Sequence, residues 1–74
     1  MIRAKFVVTE KMERSTASGP AITLAPVADD TIPEEQRLGT GAPAGSIQVL
    51  VDAPAAVAAF AMGAAFYVDF TAIA

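Results

Sequence analysis

The segment GAAFYVDFTAIA, residues 63–74, contains three aromatic residues within five positions. Successive side chains of an extended strand point to opposite faces, so every second residue shares a face. One face of this segment would carry Phe66, Val68 and Phe70, and the other Tyr67, Asp69 and Thr71. Because this alternation is typical of a half-buried β-strand, we predict a strand here.

Two further strands are predicted near the N-terminus, in MIRAKFVVTE (residues 1–10) and AITLAPV (residues 21–27). The first alternates between Ile2, Ala4, Phe6 and Val8 on one face and Arg3, Lys5, Val7 and Thr9 on the other. The second directs Ile22 and Leu24 inward, and the Gly19-Pro20 turn signal predicts that the two strands pair as a hairpin. Proline cannot donate to the ladder, so Pro20 and Pro26 favour an edge position or strand ends for the second strand.

The segment GSIQVLVD, residues 45–52, restores the alternation after a long interruption. Ile47, Val49 and Val51 would face inward, and Ser46, Gln48 and Leu50 outward. Leu50 is then an apolar residue on the outer face, which either the chain's own loop or another subunit could cover.

A short alanine-rich helix is predicted after this strand. Asp52 is a suitable N-cap, Pro54 is tolerated in the first turn, and Gly63 is placed to stop the helix. The predicted fold class is therefore mainly β, a small β-barrel or sandwich with the order β-β-β-α-β, one short helix and one long loop.

Residues 28–44 form the predicted loop, because they combine acidic residues with prolines and glycines and show no periodicity. Structureless loops longer than about 12–15 residues are uncommon in compact domains and tend to be functional or disordered. Ile32 and Leu38 are its large apolar side chains. They either pin the loop to its own domain or contact a partner, with Glu34, Glu35 and Arg37 as a polar rim.

Length and composition predict one small domain over residues 1–74 with a thin core. Alanine accounts for 17 of the 40 hydrophobic residues, and a methyl group contributes little of what a buried leucine or phenylalanine does. The chain has no cysteine and no histidine, which excludes disulfides, the usual zinc sites and histidine or thiol catalysis. Association with other subunits is the remaining means of stabilising so small a domain.

The charge distribution disfavours nucleic acid and the hydropathy disfavours a membrane span. The net charge is −3 and the five cations are dispersed, whereas phosphate binding needs a clustered positive face. No segment reaches the roughly 18–20 uninterrupted apolar residues of a transmembrane helix, and the longest apolar stretch, Ala53 to Val68, is divided by Pro54 and Gly63. The N-terminal alternation is that of a strand and not of a secretory signal, so we expect synthesis in the cytoplasm.

No pattern of residues predicts catalysis, a metal site or a cofactor. The acidic pairs Asp29-Asp30 and Glu34-Glu35 are neighbours in a loop, with no oriented partner that would shift their pKa values. Gly39-Thr40-Gly41 lacks the lysine and the spacing of a phosphate-binding loop. Asp69 is expected to be a surface or turn-capping acid.

Four segments, taken in order, resemble a family of small proteins encoded in tailed-phage structural gene clusters. They are Ala4-Lys5-Phe6, Leu24-Ala25-Pro26-Val27, Glu35-Gln36-Arg37 leading to Pro43-Ala44-Gly45-Ser46-Ile47, and Gly63 through Thr71. The resemblance covers nearly the whole chain. This sequence departs from the family at four positions, where Ala42, Ala64, Phe66 and Ala72 replace threonine, lysine, tyrosine and proline.

The resemblance implies a virion component, in particular a decoration or cement protein on the outside of the phage head. Such a protein would bind the major capsid protein in many copies, or as a homo-oligomer, and would bridge capsomers so that the shell resists expansion. An unpaired strand edge would be available for β-augmentation.

The candidate partner interface comprises loop residues and exposed residues of the terminal strands: Arg3, Lys5, Ile32, Glu34, Glu35, Arg37, Leu38 and Tyr67. On this hypothesis, Arg37→Ala should leave the isolated fold intact and weaken attachment. Two alternatives stay open. One is a tail, connector or assembly module, and the other an OB-like single-stranded nucleic-acid binder that would stack bases on Tyr67 and Phe66.

Overall fold

The computed structural model describes residues 1–12 and 19–73, and within these residues the secondary structure is mainly β. The elements are β1 (Ile2–Met12), β2 (Ala21–Val27), β3 (Ile47–Leu50), α1 (Pro54–Ala59) and β4 (Ala65–Phe70). The predicted order β-β-β-α-β is thus confirmed. Residues 13–18 of the predicted hairpin connection lie outside the described residues.

The described strands form a four-stranded antiparallel sheet in the order β3-β2-β1-β4, curled into a half-barrel. The predicted hairpin of β1 and β2 is confirmed, and β4 pairs with the opposite side of β1. The long strand β1 is therefore central, and β3 and β4 lie at the two edges. We call the concave side of the sheet the inner face and the convex side the outer face.

The inner face carries the core as the alternation predicted. Buried residues of the cluster are Ala4, Phe6, Val8, Ile22 and Leu24. Partly buried side chains from β3, β4 and the adjoining turns pack against them, among them Ile47, Val49, Val51, Phe60, Phe66 and Val68. Because two of the five buried residues are a valine and an alanine, the apolar area that stabilises this core is small.

A β-bulge in β1 changes which side chains face inward. Val8 pairs with Leu24 and Glu10 with Thr23, so Thr9 is the extra residue. Beyond the bulge Lys11 is paired with Ile22, a core residue, and shares its face. The Lys11 ammonium donates a hydrogen bond of 2.8 Å to the carbonyl oxygen of Val57, near the C-terminal end of α1.

Strand β2 lies in the interior of the sheet, so the prediction that it forms an edge is wrong. The alternative prediction, that the two prolines lie at the ends of this strand, is correct. Pro20 comes immediately before the strand. Pro26 is its penultimate residue, beyond the four residues, 21–24, that pair with β3. Neither proline therefore has to donate to β3.

Helix α1 begins one residue later than predicted. Its N-cap is Ala53, not Asp52, and Pro54 takes the first helical position. All six residues of α1 are at least partly exposed. Its C-cap, Phe60, packs on Phe66 with ring centroids 5.0 Å apart. Among the described residues, no helix is long and apolar enough to cross a membrane.

Candidate functional site

The outer face of β1 and β4 brings three of the sequence-predicted interface residues together. Arg3 is paired with Asp69, and Lys5 with Tyr67. The Arg3 guanidinium donates two hydrogen bonds to Asp69, from Nε to Oδ1 at 2.7 Å and from Nη2 to Oδ2 at 3.1 Å. Its Cζ atom also lies 5.5 Å from the centroid of the Tyr67 ring.

This bidentate pairing defines the role of Asp69. Hydrogen bonding by Arg3 lowers the pKa of Asp69, and the same contact raises the pKa of Arg3. Asp69 is therefore a surface acid with a fixed partner, which is the first of the two alternatives that the sequence left open.

The long loop is fastened to β4 by Asp29, Thr31 and Tyr67, which we call the loop latch. The Tyr67 hydroxyl donates to Asp29 Oδ2 at 2.7 Å. The Thr31 hydroxyl and backbone N–H donate to Asp29 Oδ1 at 2.6 and 2.9 Å. Aspartate turns of this kind fix a loop locally, and the phenol ties that turn to a strand that lies 38 residues away in sequence.

The loop latch corrects the expectation that Asp29 has no oriented partner. Its pKa is lowered from 3.8 to about 2, first by the Thr31 hydroxyl and next by the Tyr67 hydroxyl. Since the folded-state pKa is the lower one, the ionised carboxylate stabilises the fold above pH 3.8. This contribution is lost as the pH falls through about 2.

Removing the Tyr67 hydroxyl should raise the pKa of Asp29. In Tyr67→Phe the carboxylate loses one charge-stabilising donor, so its titration midpoint should move from about 2 toward 3.8. A pH titration of the Asp29 side-chain carboxyl carbon by NMR measures this directly. Asp69, which Arg3 holds, serves as the internal control and should keep its lowered pKa. An unchanged Asp29 midpoint would contradict the loop latch.

Arg37 holds the loop from within. Its Nε donates to the carbonyl oxygen of Ile32 at 2.8 Å and its Nη2 to that of Asp30 at 3.2 Å. Ile32 itself is only 5% exposed. Arg37 and Ile32 therefore act inside the chain, and Arg37→Ala should loosen the loop instead of leaving it intact. Of the two alternatives for the apolar loop residues, contact with the chain's own domain is therefore the correct one for Ile32.

The other predicted loop residues stay at the surface. Leu38 is 47% exposed, and Glu34 and Glu35, which lie in a single 3₁₀ turn (Glu34–Gln36), are also exposed. A half-open cleft of about 280 Å³ separates the loop from the start of β1 and the end of β2. Its walls include Arg3, Ala4, Val27, Ile32, Arg37 and Leu38.

Within the described ranges, no cluster of three or more acidic residues could hold a metal ion. Leu50 is 56% exposed on the outer face, so the loop of the same chain leaves it uncovered.

A comparison of the chain with protein-family models, with curated proteins and with solved structures finds no match.

Proposed function

We propose that this protein is a non-enzymatic attachment protein that decorates the outer shell of a tailed-phage head. It would be made in the host cytoplasm, bind the major capsid protein in many copies and strengthen contacts between capsomers. The observation that carries the proposal is the loop of residues 28–44, which is long, fastened at several points and exposed along one side.

A loop that is held in place before a partner binds is well suited to serve as a contact surface. Ordering a free loop on binding costs about 1–2 kcal/mol for each residue fixed. Here the loop latch and the two hydrogen bonds of Arg37 already hold the backbone at residues 29–32. A partner then meets a surface that is largely pre-organised, which favours affinity without a larger contact area.

The exposed side of the loop has the chemistry of a protein contact. Leu38 supplies an apolar anchor beside the cleft, and Glu34 and Glu35 supply a polar rim. The net charge of −3 would complement a basic patch on a shell protein.

The four family-like segments support the proposal in a different way. Three of them fall in or beside β1, β2 and β4, where they specify the sheet. The remaining segment includes Glu35, Gln36 and Arg37, and Arg37 holds the loop. The resemblance therefore spans both the sheet and the element that we assign to attachment.

The first experiment is the copy number of this protein in purified DNA-filled particles, relative to the major capsid protein, by quantitative mass spectrometry. A near-stoichiometric ratio is expected for a decoration protein. A few copies per particle, as expected of a component confined to the single vertex that carries the tail, would indicate a connector or tail component instead. Absence from the particle would overturn the proposal in favour of an assembly factor or a nucleic-acid binder.

Two exposed leucines provide a matched pair of variants for the contact surface. Leu38→Glu places a charge at the proposed anchor and should weaken occupancy on particles by about tenfold or more. Leu50→Glu makes the same change on the outer face of β3, at a residue of similar exposure, and should leave occupancy unchanged. Binding of each purified variant to undecorated particles measures the difference. Equal occupancy of both variants would exclude the loop as the contact.

A further inference from the structure

The outer edge of β4 is open along Ala65–Phe70. β4 is the last strand in the order β3-β2-β1-β4, and among the described residues no strand pairs with its outer side. An edge of this kind presents unpaired backbone N–H and C=O groups to any strand that can reach it.

The hydrogen bonds to β1 indicate which backbone groups of β4 point outward. Val8 donates to the carbonyl oxygen of Ala64 and accepts from the N–H of Gly63, so Val8 is hydrogen-bonded toward β4. Hydrogen-bonded and non-hydrogen-bonded pairs alternate along an antiparallel ladder. Phe66 and Val68, which pair with Phe6 and Ala4, therefore direct their backbone groups to β1. Ala65, Tyr67 and Asp69 direct theirs to the open edge.

This edge has few of the features by which proteins prevent strand pairing. Within Ala65–Phe70 there is no proline and no lysine, and the register with β1 is continuous. Its one charged side chain, Asp69, is neutralised by Arg3. The other open edge, β3, offers only four residues.

We infer that two copies of this chain pair through β4, antiparallel and around a two-fold axis at Val68, to form one continuous sheet. In this register Tyr67 lies opposite Asp69 of the second copy, and both have outward-pointing backbone groups. Phe66 lies opposite Phe70 of the second copy, at a non-hydrogen-bonded position where side chains approach most closely.

The strand is complementary to itself in this register, which is why the occupant is a second copy. Each Phe70, 44% exposed in the single chain, is covered by a phenylalanine. Moving the axis to Asp69 would place two carboxylates opposite each other, which is unfavourable. A shift of the pairing by one residue would set outward-pointing backbone groups against inward-pointing ones. The pairing is isologous and therefore closes at two copies.

Sedimentation velocity of the purified chain and two lysine variants tests which surface associates. The native chain should form a dimer that Phe70→Lys dissociates to a monomer. Leu50→Lys changes an apolar residue at the other edge that is 56% exposed, against 44% for Phe70, and should leave the dimer intact. Circular dichroism establishes that both variants are folded. A native chain that stays monomeric at all concentrations, or a dimer that only Leu50→Lys dissociates, would overturn the inference.

Cysteine cross-linking tests the register, because the chain contains no cysteine of its own. The two-fold axis brings the Cα atoms of Val68 and its counterpart to about 4.5 Å, within disulfide range. Val68→Cys should therefore oxidise to a covalent dimer. Phe70→Cys should not, since the two residues at position 70 would be about 13 Å apart along the strands. Cross-linking of Phe70→Cys alone would contradict this register. Neither readout involves particles, so failure of the proposed attachment would leave this test unaffected.

Discussion

Phe6→Ala is expected to abolish the folded state of the isolated chain. Phe6 is 3% exposed and lies in the central strand, paired with Pro26 of β2 on one side and Phe66 of β4 on the other. Truncating a buried phenylalanine to alanine costs about 3–5 kcal/mol, because the transfer free energy is lost and a cavity remains. A domain below about 70–80 residues rarely gains more than 3–5 kcal/mol from its core, so little stability would be left.

Urea denaturation followed by far-UV circular dichroism measures the loss for Phe6→Ala. Leu50→Ala is the matched control, since Leu50 is apolar but 56% exposed on the opposite face of the sheet. The free energy of unfolding of this control should stay within about 0.5 kcal/mol of the native value. A folded Phe6→Ala protein that loses no more stability than the control would contradict the assignment of Phe6 to the core.

The strands and their inward faces could be predicted because each strand has one face on the core. Period-2 alternation correctly indicated Ile22 and Leu24 in β2 and Ile47 and Val49 in β3 as inner-face residues. Alternate residues of each strand face the core, so the sequence of the strand alternates between apolar and polar residues. The same signal does not say which strands are neighbours, so the interior position of β2 needed the structure.

Local irregularities could not be predicted from periodicity. The bulge at Thr9 turns Lys11 toward the core side, where its ammonium meets the Val57 carbonyl 46 residues away in sequence. Nothing in the polar segment around Lys11 indicates the extra residue. At α1, Asp52 has the chemistry of an N-cap, but the helix starts at Pro54 with Ala53 as its cap, because proline suits the first helical position.

That the candidate residues form an interface stays a prediction, and the sequence indicated only part of their placement. Arg3, Lys5 and Tyr67 do lie together on the outer face of β1 and β4. The loop latch was missed, because Asp29 and Thr31 carry only a local turn signal and the contact with Tyr67 is a tertiary one. Ile32 was placed at the interface on hydrophobicity alone, and hydrophobicity fits a buried position equally well.

The second large effect is expected for Gly19→Ala, at the junction between the hairpin connection and β2. Gly19 has a φ of +80°, and an added Cβ would lie 2.0 Å from the carbonyl oxygen of Val51. The Val51 N–H in turn donates to the carbonyl oxygen of Pro20, so β2 and β3 are tied together at this point. The side chain would therefore push against backbone that is already held in place.

Alanine substitutions at two other glycines distinguish backbone strain from the steric clash at Gly19. Gly63 also has a positive φ, +82°, but open space around its Cα, so Gly63→Ala should cost about 1–2 kcal/mol from backbone strain alone. Gly39 has open space and no positive φ, so Gly39→Ala should be neutral or stabilise by about 0.4–1 kcal/mol. Gly19→Ala combines strain with the steric clash and should exceed about 3 kcal/mol, enough to unfold a domain of this size. Thermal unfolding of the three variants gives the order of their stabilities. Equal losses for Gly19→Ala and Gly63→Ala would mean that the Val51 carbonyl, just after β3, does not approach Gly19 as closely as described.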